Sequence, residues 1–232
     1  LWLRGPTGYS PQEVLPELGH RTNKPCLLVK HEATKQLRIL ATISVPEDLR
    51  PLLAKGDNSQ QLRQLLLQAT HPSLEPPVDV HFISEGRTIV IVRPLRTEGS
   101  VRDYLHRAKP KAPYNTKYRG SAEPLPAERV ASYCRMVLEG LVALRGAGFP
   151  SAMHLHTGNV LLNNKCCRIS DFENSLLGLR PLLSRQIQRQ LTRLQEKAGD
   201  AGLHDEAADV VVFGSLLFEL GTGEVLQGPG LD

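Results

Sequence analysis

The hydrophobic period of this 232-residue chain changes near residue 100, and that change limits what it can fold into. Before it, short apolar runs rich in β-branched residues sit between polar turns. "CLLVK" (26–30) and "LRILATI" (37–43) flank the turn "HEATKQ", and "VDVHFIS" and "RTIVIVRPL" flank Glu85-Gly86. These predict two antiparallel hairpins. One helix interrupts them: "DNSQQLRQLLLQAT" (57–70) places Leu62, Leu65, Leu66 and Ala69 at helical spacing, and His71-Pro72 ends it. Residues 1–25 carry many Gly and Pro and read as an irregular segment with one short strand.

Beyond residue 100 the period is helical. "SVRDYLHRA" opens with a Ser cap. In "PAERVASYCRMVLEGLVALRGAG", Val130, Tyr133, Cys134, Val137, Leu138, Leu141 and Leu144 share one face. "NVLLNNKCCRIS" predicts a tight hairpin turning at Asn163-Asn164. "SRQIQRQLTRLQEKAG" predicts a helix between a Ser184 cap and a Gly199 stop, and "ADVVVFGSLLFELGTG" is apolar nearly all round, as a core helix is. Strands followed by helices give an α+β class.

Composition excludes several functions. Hydrophobic residues make up 41% and charged residues 22%, the balance of a globular domain. A net charge of +4 and 5% aromatic residues argue against nucleic acid as partner. No run approaches the ~20 apolar residues of a membrane span. The four cysteines, Cys26, Cys134, Cys166 and Cys167, have no zinc-ligand spacing and read as reduced thiols of a cytoplasmic protein, with Cys166 and Cys167 on opposite faces of a strand. The chain begins at Leu1 and reads as an internal or processed segment.

The stretch "AMHLHTGNVLLNNKCCRISDFE" (152–173) is the best handle on chemistry. It is spaced like the catalytic loop and metal-binding turn of a protein kinase, His-Arg-Asp-x-x-x-x-Asn followed by a hairpin and Asp-Phe-Gly. Aligned on Asn159-Val160-Leu161-Leu162, the family's Asp falls on His154 and its Lys on His156, and Asp171-Phe172-Glu173 stands for Asp-Phe-Gly. "ADVVVFGSLLFEL", with Asp209, resembles the family's buried helix. "CLLVK" resembles the strand bearing the phosphate-binding lysine, here Lys30, and "HPSL" with "RTIVIVRPL" resembles the passage into the hinge. More narrowly, "HLHTGNVLL", "DFENSLLGL" and "HRAKPKAPYNTKY" resemble the slowpoke-binding protein and PX-domain kinase-like family, a divergent group often treated as pseudokinases.

The resemblance implies a two-lobed protein kinase-like fold: residues 26–95 as a small β-rich N-lobe with hinge, and 96–232 as a helical C-lobe truncated after its central buried helix. It implies Lys30, Asn159, Asp171 and hinge backbone around Arg93 and Leu95 as remnants of a nucleotide site, with Asn159 and Asp171 as vestigial metal ligands. Much is missing. His154 lacks the charge and reach of Asp; it and His156 are either structural, hydrogen-bonded histidines or, for His154, a replacement base. The family's lysine-pairing Glu falls on Leu62. Glu173 replaces a flexible glycine and adds a second carboxylate, a barrier to phosphates or a further metal ligand. A glycine-rich loop and Ala-Pro-Glu are absent. No cofactor is required on this account, and Mg-ATP is expected to bind weakly.

The expected function is that of a pseudokinase scaffold for protein partners, with membrane proteins such as ion channels or pumps as clients. The alternatives are a weak or atypical serine/threonine kinase and a nucleotide-sensing switch. Two basic features offer docking surfaces for an acidic partner or a membrane-protein cytoplasmic segment, with peripheral membrane association: Arg185, Arg189, Arg193 and Lys197 on one helix face, and the insertion "RAKPKAPYNTKYRG" (107–120).

Overall fold

The computed structural model describes residues 7–16, 24–199 and 204–226. Its N-terminal part is a five-stranded sheet in the order β1-β2-β3-β5-β4: β1 Tyr9–Val14, β2 Cys26–His31, β3 Leu37–Ser44, β4 Asp79–Ile83 and β5 Thr88–Pro94. All neighbours are antiparallel. The short strand expected in the first segment is β1, which pairs along β2 through an irregularity between Pro11 and Glu13. Much of the irregular segment expected over 1–25 lies outside the described residues.

Between β3 and β4 lie a single turn α1 (Arg50–Leu53) and α2 (Gly56–Gln68). Alternation along β5 decides what each face does. Val90 and Val92 join Tyr9, Val29 and Leu40 in a small outer cluster, whereas Ile89 and Ile91 enter the main core. Arg93 therefore shares the face of Ile89 and Ile91, which looks toward the helices.

The C-terminal part is helical: α3 Val101–Leu105, α4 Tyr114–Lys117, α5 Ala127–Gly146, α6 Glu173–Leu176, α7 Arg185–Ala198 and α8 Asp205–Thr222, with one hairpin, β6 Val160–Asn163 and β7 Cys166–Ile169. Ser100 caps α3 in a full capping box with Asp103, and Ser184 caps α7 through the Ile187 N–H. A mixed α+β architecture results, with a sheet-bearing N-terminal region and a helical C-terminal region.

Contact between the two is close at Gly140 of α5. A Cβ there would stand 2.9 Å from Ile169 Cδ1 and 3.0 Å from the Ser73 carbonyl oxygen, so only glycine lets α5 approach. The segment before β4 joins the hairpin directly: Ile169 N–H donates to Ser73 and Glu75 N–H to Ile169.

Three local expectations differ. The β6–β7 turn is made by Asn164 and Lys165 (φ 51° and 65°), one residue later than expected, because Asn163 pairs with Cys166. That register exposes Cys166 and buries Cys167, whose thiol is pushed up to about 12 by burial; none of the four cysteines is in a disulfide. Leu138, placed on the inner face of α5 by its spacing, is 45% exposed, since it lies at the edge of the buried stripe. Helix α8 is not buried all round: Val210 is 69% exposed while Val212, Leu216 and Leu220 fill the core.

Candidate functional site: a cleft closed by its own charges

A cleft runs between the sheet and the helical region. Its upper wall is Leu15, Cys26, Ile39 and Ala41; Asn159, Leu161 and Asp171 lie opposite, and Arg93 to Arg96 form one side. Of the residues the sequence singled out for binding, Arg93, Leu95, Asn159 and Asp171 meet here. Lys30 is not among the lining residues. It pairs with Ser10 and Leu37, four residues along β2 from Cys26 and thus about 13 Å farther at ~3.3 Å per residue. The reason is topological: with β1 as the edge, 26–31 is the second strand, and β3 is the strand beside β5.

The lysine that reaches the carboxylates of the cleft is Lys24, buried beside Cys26. Its Nζ lies 3.1 Å from Glu173 Oε1 and 3.4 Å from Asp171 Oδ1. Arg93 reaches in from β5: Nη2 pairs with Glu173, Nε stands 3.6 Å from Asp171, and Nη1 donates to the Glu75 carbonyl at 2.6 Å. Glu173 is fully buried. Burial alone would raise its pKa, but Arg93 and Lys24 outweigh that and hold it below the usual carboxylate range, despite Asp171 nearby. Burial likewise works against the Arg93 charge, and Glu173 and Asp171 more than restore it.

A second carboxylate, Glu75, tightens the same seam. Arg96 grips it through both oxygens (3.1 and 2.8 Å), and Arg168 of β7 stands 3.8 Å away. The sequence gives one signal for this arrangement, an arginine at the end of the apolar run "TIVIVRP". Lys24 left none, because a lone lysine in a Gly- and Pro-rich stretch has no pattern around it.

The loop under the cleft is held by hydrogen bonds rather than by ion pairs. His154 is buried and its Nε2 lies 2.9 Å from the Leu179 carbonyl oxygen, which can only accept, so the ring carries its proton there. Burial pushes its pKa below the ordinary value, with Lys24 adding to that; the Leu179 bond, Asp171 and Glu173 oppose it. His156 Nδ1 accepts from the Gly158 N–H at 3.1 Å. Asn159 Nδ2 donates to the His154 carbonyl at 3.0 Å. Asp209 of α8 accepts from the Ala152 N–H (2.6 Å) and the Ser151 hydroxyl (2.9 Å).

The insertion between α3 and α5 is not a free loop. Lys117 is buried, with Nζ 2.8 Å from Asp103 and 2.6 Å from the Pro110 carbonyl, and Tyr118 donates to the same Asp103 at 2.7 Å. Lys111 stands 3.6 Å from Glu13 of β1, and Arg107 pairs with Glu123. Pro110, Lys111 and Lys117 thereby wall the cleft. On α7, by contrast, Arg185, Arg189, Arg193 and Lys197 are exposed, and none of them forms an ion pair among the described residues. Ile187 of the same helix is buried in the core.

"Probable inactive serine/threonine-protein kinase slob2" of Dictyostelium discoideum is 33% identical over 99% of this chain and 38% of its own length. The slowpoke-binding protein of Drosophila melanogaster is 32% identical over 98% of the chain and 44% of its own. The PX domain-containing protein kinase-like protein of Mus musculus is 31% identical over 96% and 36%. The chain belongs to this kinase-like group. It spans about two fifths of the length of these relatives. No protein-family model matches the chain.

A kinase-like family implies magnesium and ATP, and the residues present do not fit them. Asp171 already faces two cations, and Lys24 Nζ, 3.4 Å from Asp171 and 3.1 Å from Glu173, occupies the place between the two carboxylates that a shared divalent ion would take. Among the described residues no cluster of three or more His, Cys, Asp or Glu could hold a metal ion. Leu62, at the place of the family's lysine-pairing Glu, packs half-buried against the core.

Proposed function

We propose that this chain is a catalytically silent, two-lobed kinase-shaped domain that works by binding a protein partner. The observation that carries the reading is the pairing of Asp171 and Glu173 with Lys24 and Arg93, which consumes inside the chain the charges that phosphoryl transfer would need. The lobes are 26–95 and 96–232, with β1 added to the first. The partner face is α7: its row of Arg185, Arg189, Arg193 and Lys197 is unneutralised, whereas the insertion at 107–120 spends Lys111, Lys117 and Arg107 on its own carboxylates. An acidic segment of a cytoplasmic protein, or of the cytoplasmic side of a membrane protein, suits that row. The name of the Drosophila relative, slowpoke-binding protein, supports a protein partner and an ion channel as client. No helix among the described residues is long and apolar enough to cross a membrane, so membrane contact in this reading is peripheral.

Two measurements test it. With labelled ATP, magnesium and a generic substrate, no phosphate is transferred; transfer abolished by both Asp171→Asn and His154→Ala would make the chain a weak kinase instead. A fluorescein-labelled Glu-rich peptide binds the purified chain, and the charge reversal Arg185→Glu with Arg189→Glu abolishes binding without lowering Tm. Undiminished binding by that variant would remove α7 from the reading, and binding to phosphatidylserine vesicles without peptide binding would make the face a lipid surface.

A further inference from the structure

Helix α5 turns to solvent a face that neither the cleft nor the α7 row uses. We propose that two copies of the chain pair through this face, antiparallel, about a two-fold axis at the level of Val137.

The face is built as a seam. Ala131, Arg135, Leu138 and Val142 follow one another at spacings of four, three and four residues, the repeat by which two helices meet side by side. All four are exposed, and Leu138 and Val142 are so at 45% and 72% although both are large and apolar. Beside them, toward His71, runs an open and mostly apolar groove with buried Cys134 in its wall. Single exposed apolar residues need no partner; here they stand in a row along a groove of the same character.

The charges choose the occupant. Arg135 and Glu139 lie on one flank of the row, largely exposed, and their own contact is loose at 3.9 Å. An acidic segment would gain at Arg135 and lose at Glu139, and a basic one the reverse. A partner with the two charges in reverse order gains at both, as a second copy running antiparallel does. In such a pair the same flank of each helix meets, and positions equally far above and below the axis come opposite each other. Arg135 then faces Glu139 of the second copy, and Glu139 faces its Arg135. The same operation sets Val142 over Ala131 of the second copy, large against small, and Leu138 beside its Leu138.

The size of the face sets the strength. Helix α5 has 20 residues and is about 30 Å long, so it offers a strip near the small end of specific interfaces, ~1,000 Å² in total. The dimer is therefore weak and reversible, with Kd of about 100 µM.

Sedimentation of the chain from about 10 µM to about 1 mM, which brackets that Kd, shows a monomer–dimer equilibrium. Arg135→Glu alone, or Glu139→Arg alone, sets like charges against each other across the axis and weakens association about tenfold or more. An equimolar mixture of these two variants regains it, because each supplies the charge that the other lacks, and the variant carrying both changes regains it as well. Folding of each variant is checked by Tm. The proposal is overturned by a chain that stays monomeric throughout, by a dimer that both folded single variants keep, or by single variants that stay apart when mixed.

Discussion

Two buried carboxylate sites lie close together in this molecule and are stabilised in opposite ways. At the cleft, Asp171 and Glu173 are matched by two cations from the sheet region. Below it, Asp209 is matched by a backbone N–H and a hydroxyl, with no cation in hydrogen-bond contact. The consequences for the groups differ in sign. Glu173 is held below its ordinary pKa although burial opposes this, whereas burial raises Asp209 and the bonds from Ala152 and Ser151 only partly offset it. The cleft site joins the sheet to the helical region through charge, so it is strong while intact and costly when halved. The Asp209 site fixes α8 to the loop at 151–159 through dipoles, and its loss is more local.

The largest effect tests the charged site. Arg93→Met leaves fully buried Glu173 with Lys24 alone and removes the donor to the Glu75 carbonyl. Breaking one side of a buried pair costs about 3–5 kcal/mol, so denaturant unfolding should lose that much. Pairing it with Glu173→Leu, which removes the stranded charge as well, should recover more than half. A cost under about 1 kcal/mol for Arg93→Met would mean that water, not the pair, satisfies Glu173, and the contrast with Asp209 would vanish.

The Asp209 site should respond less. Asp209→Ala strands the Ala152 N–H and the Ser151 hydroxyl, at about 1–3 kcal/mol. Asp209→Asn keeps one acceptor oxygen and drops a charge that burial disfavours, so it should cost less than the alanine change. If Asn proved as damaging as Ala, the negative charge itself would be holding the loop, and the two sites would be stabilised alike.

The fold was more legible in the sequence than the site. Period and cap residues located β2 to β5, α2, α5 and α7, since each buries one face and announces it by spacing. They misjudged Leu138 and α8, because a buried stripe has edges and apolar residues also occupy surfaces that spacing cannot mark. At the site, the spacing from His154 to Glu173 pointed to the right loop, and Asn159 and Asp171 do line one cleft. Lys24 and Glu75 stayed hidden, because a charge-paired site is assembled from distant segments, 149 residues apart for Lys24 and Glu173. A sequence shows the charges and not the pairing. The lysine at the end of "CLLVK" matched a pattern that the topology had moved one strand away.

The smallest effect separates the two regions by pH. His154 belongs with the loop that Asp209 holds: its ring is buried, its Nε2–H bonds Leu179, and its folded pKa lies below the ordinary value of 6.5. The unfolded chain therefore takes up a proton first, so stability is lost as pH falls through 6.5 toward the folded pKa, and the loss stops growing below it. The slope from one such group is at most about 1.4 kcal/mol per pH unit. Glu173 has a depressed pKa, so its contribution is complete above its ordinary value of 4.5 and fades only as pH falls through the folded value beneath that. Between pH 7.5 and 5.5, then, the loop should weaken while the charged seam does not. Wild type should lose stability across that interval, and His154→Gln, which cannot titrate but can still donate to Leu179, should lose measurably less. Equal slopes in the two proteins would show that other histidines carry the pH dependence and that the His154 ring is not held neutral by its burial.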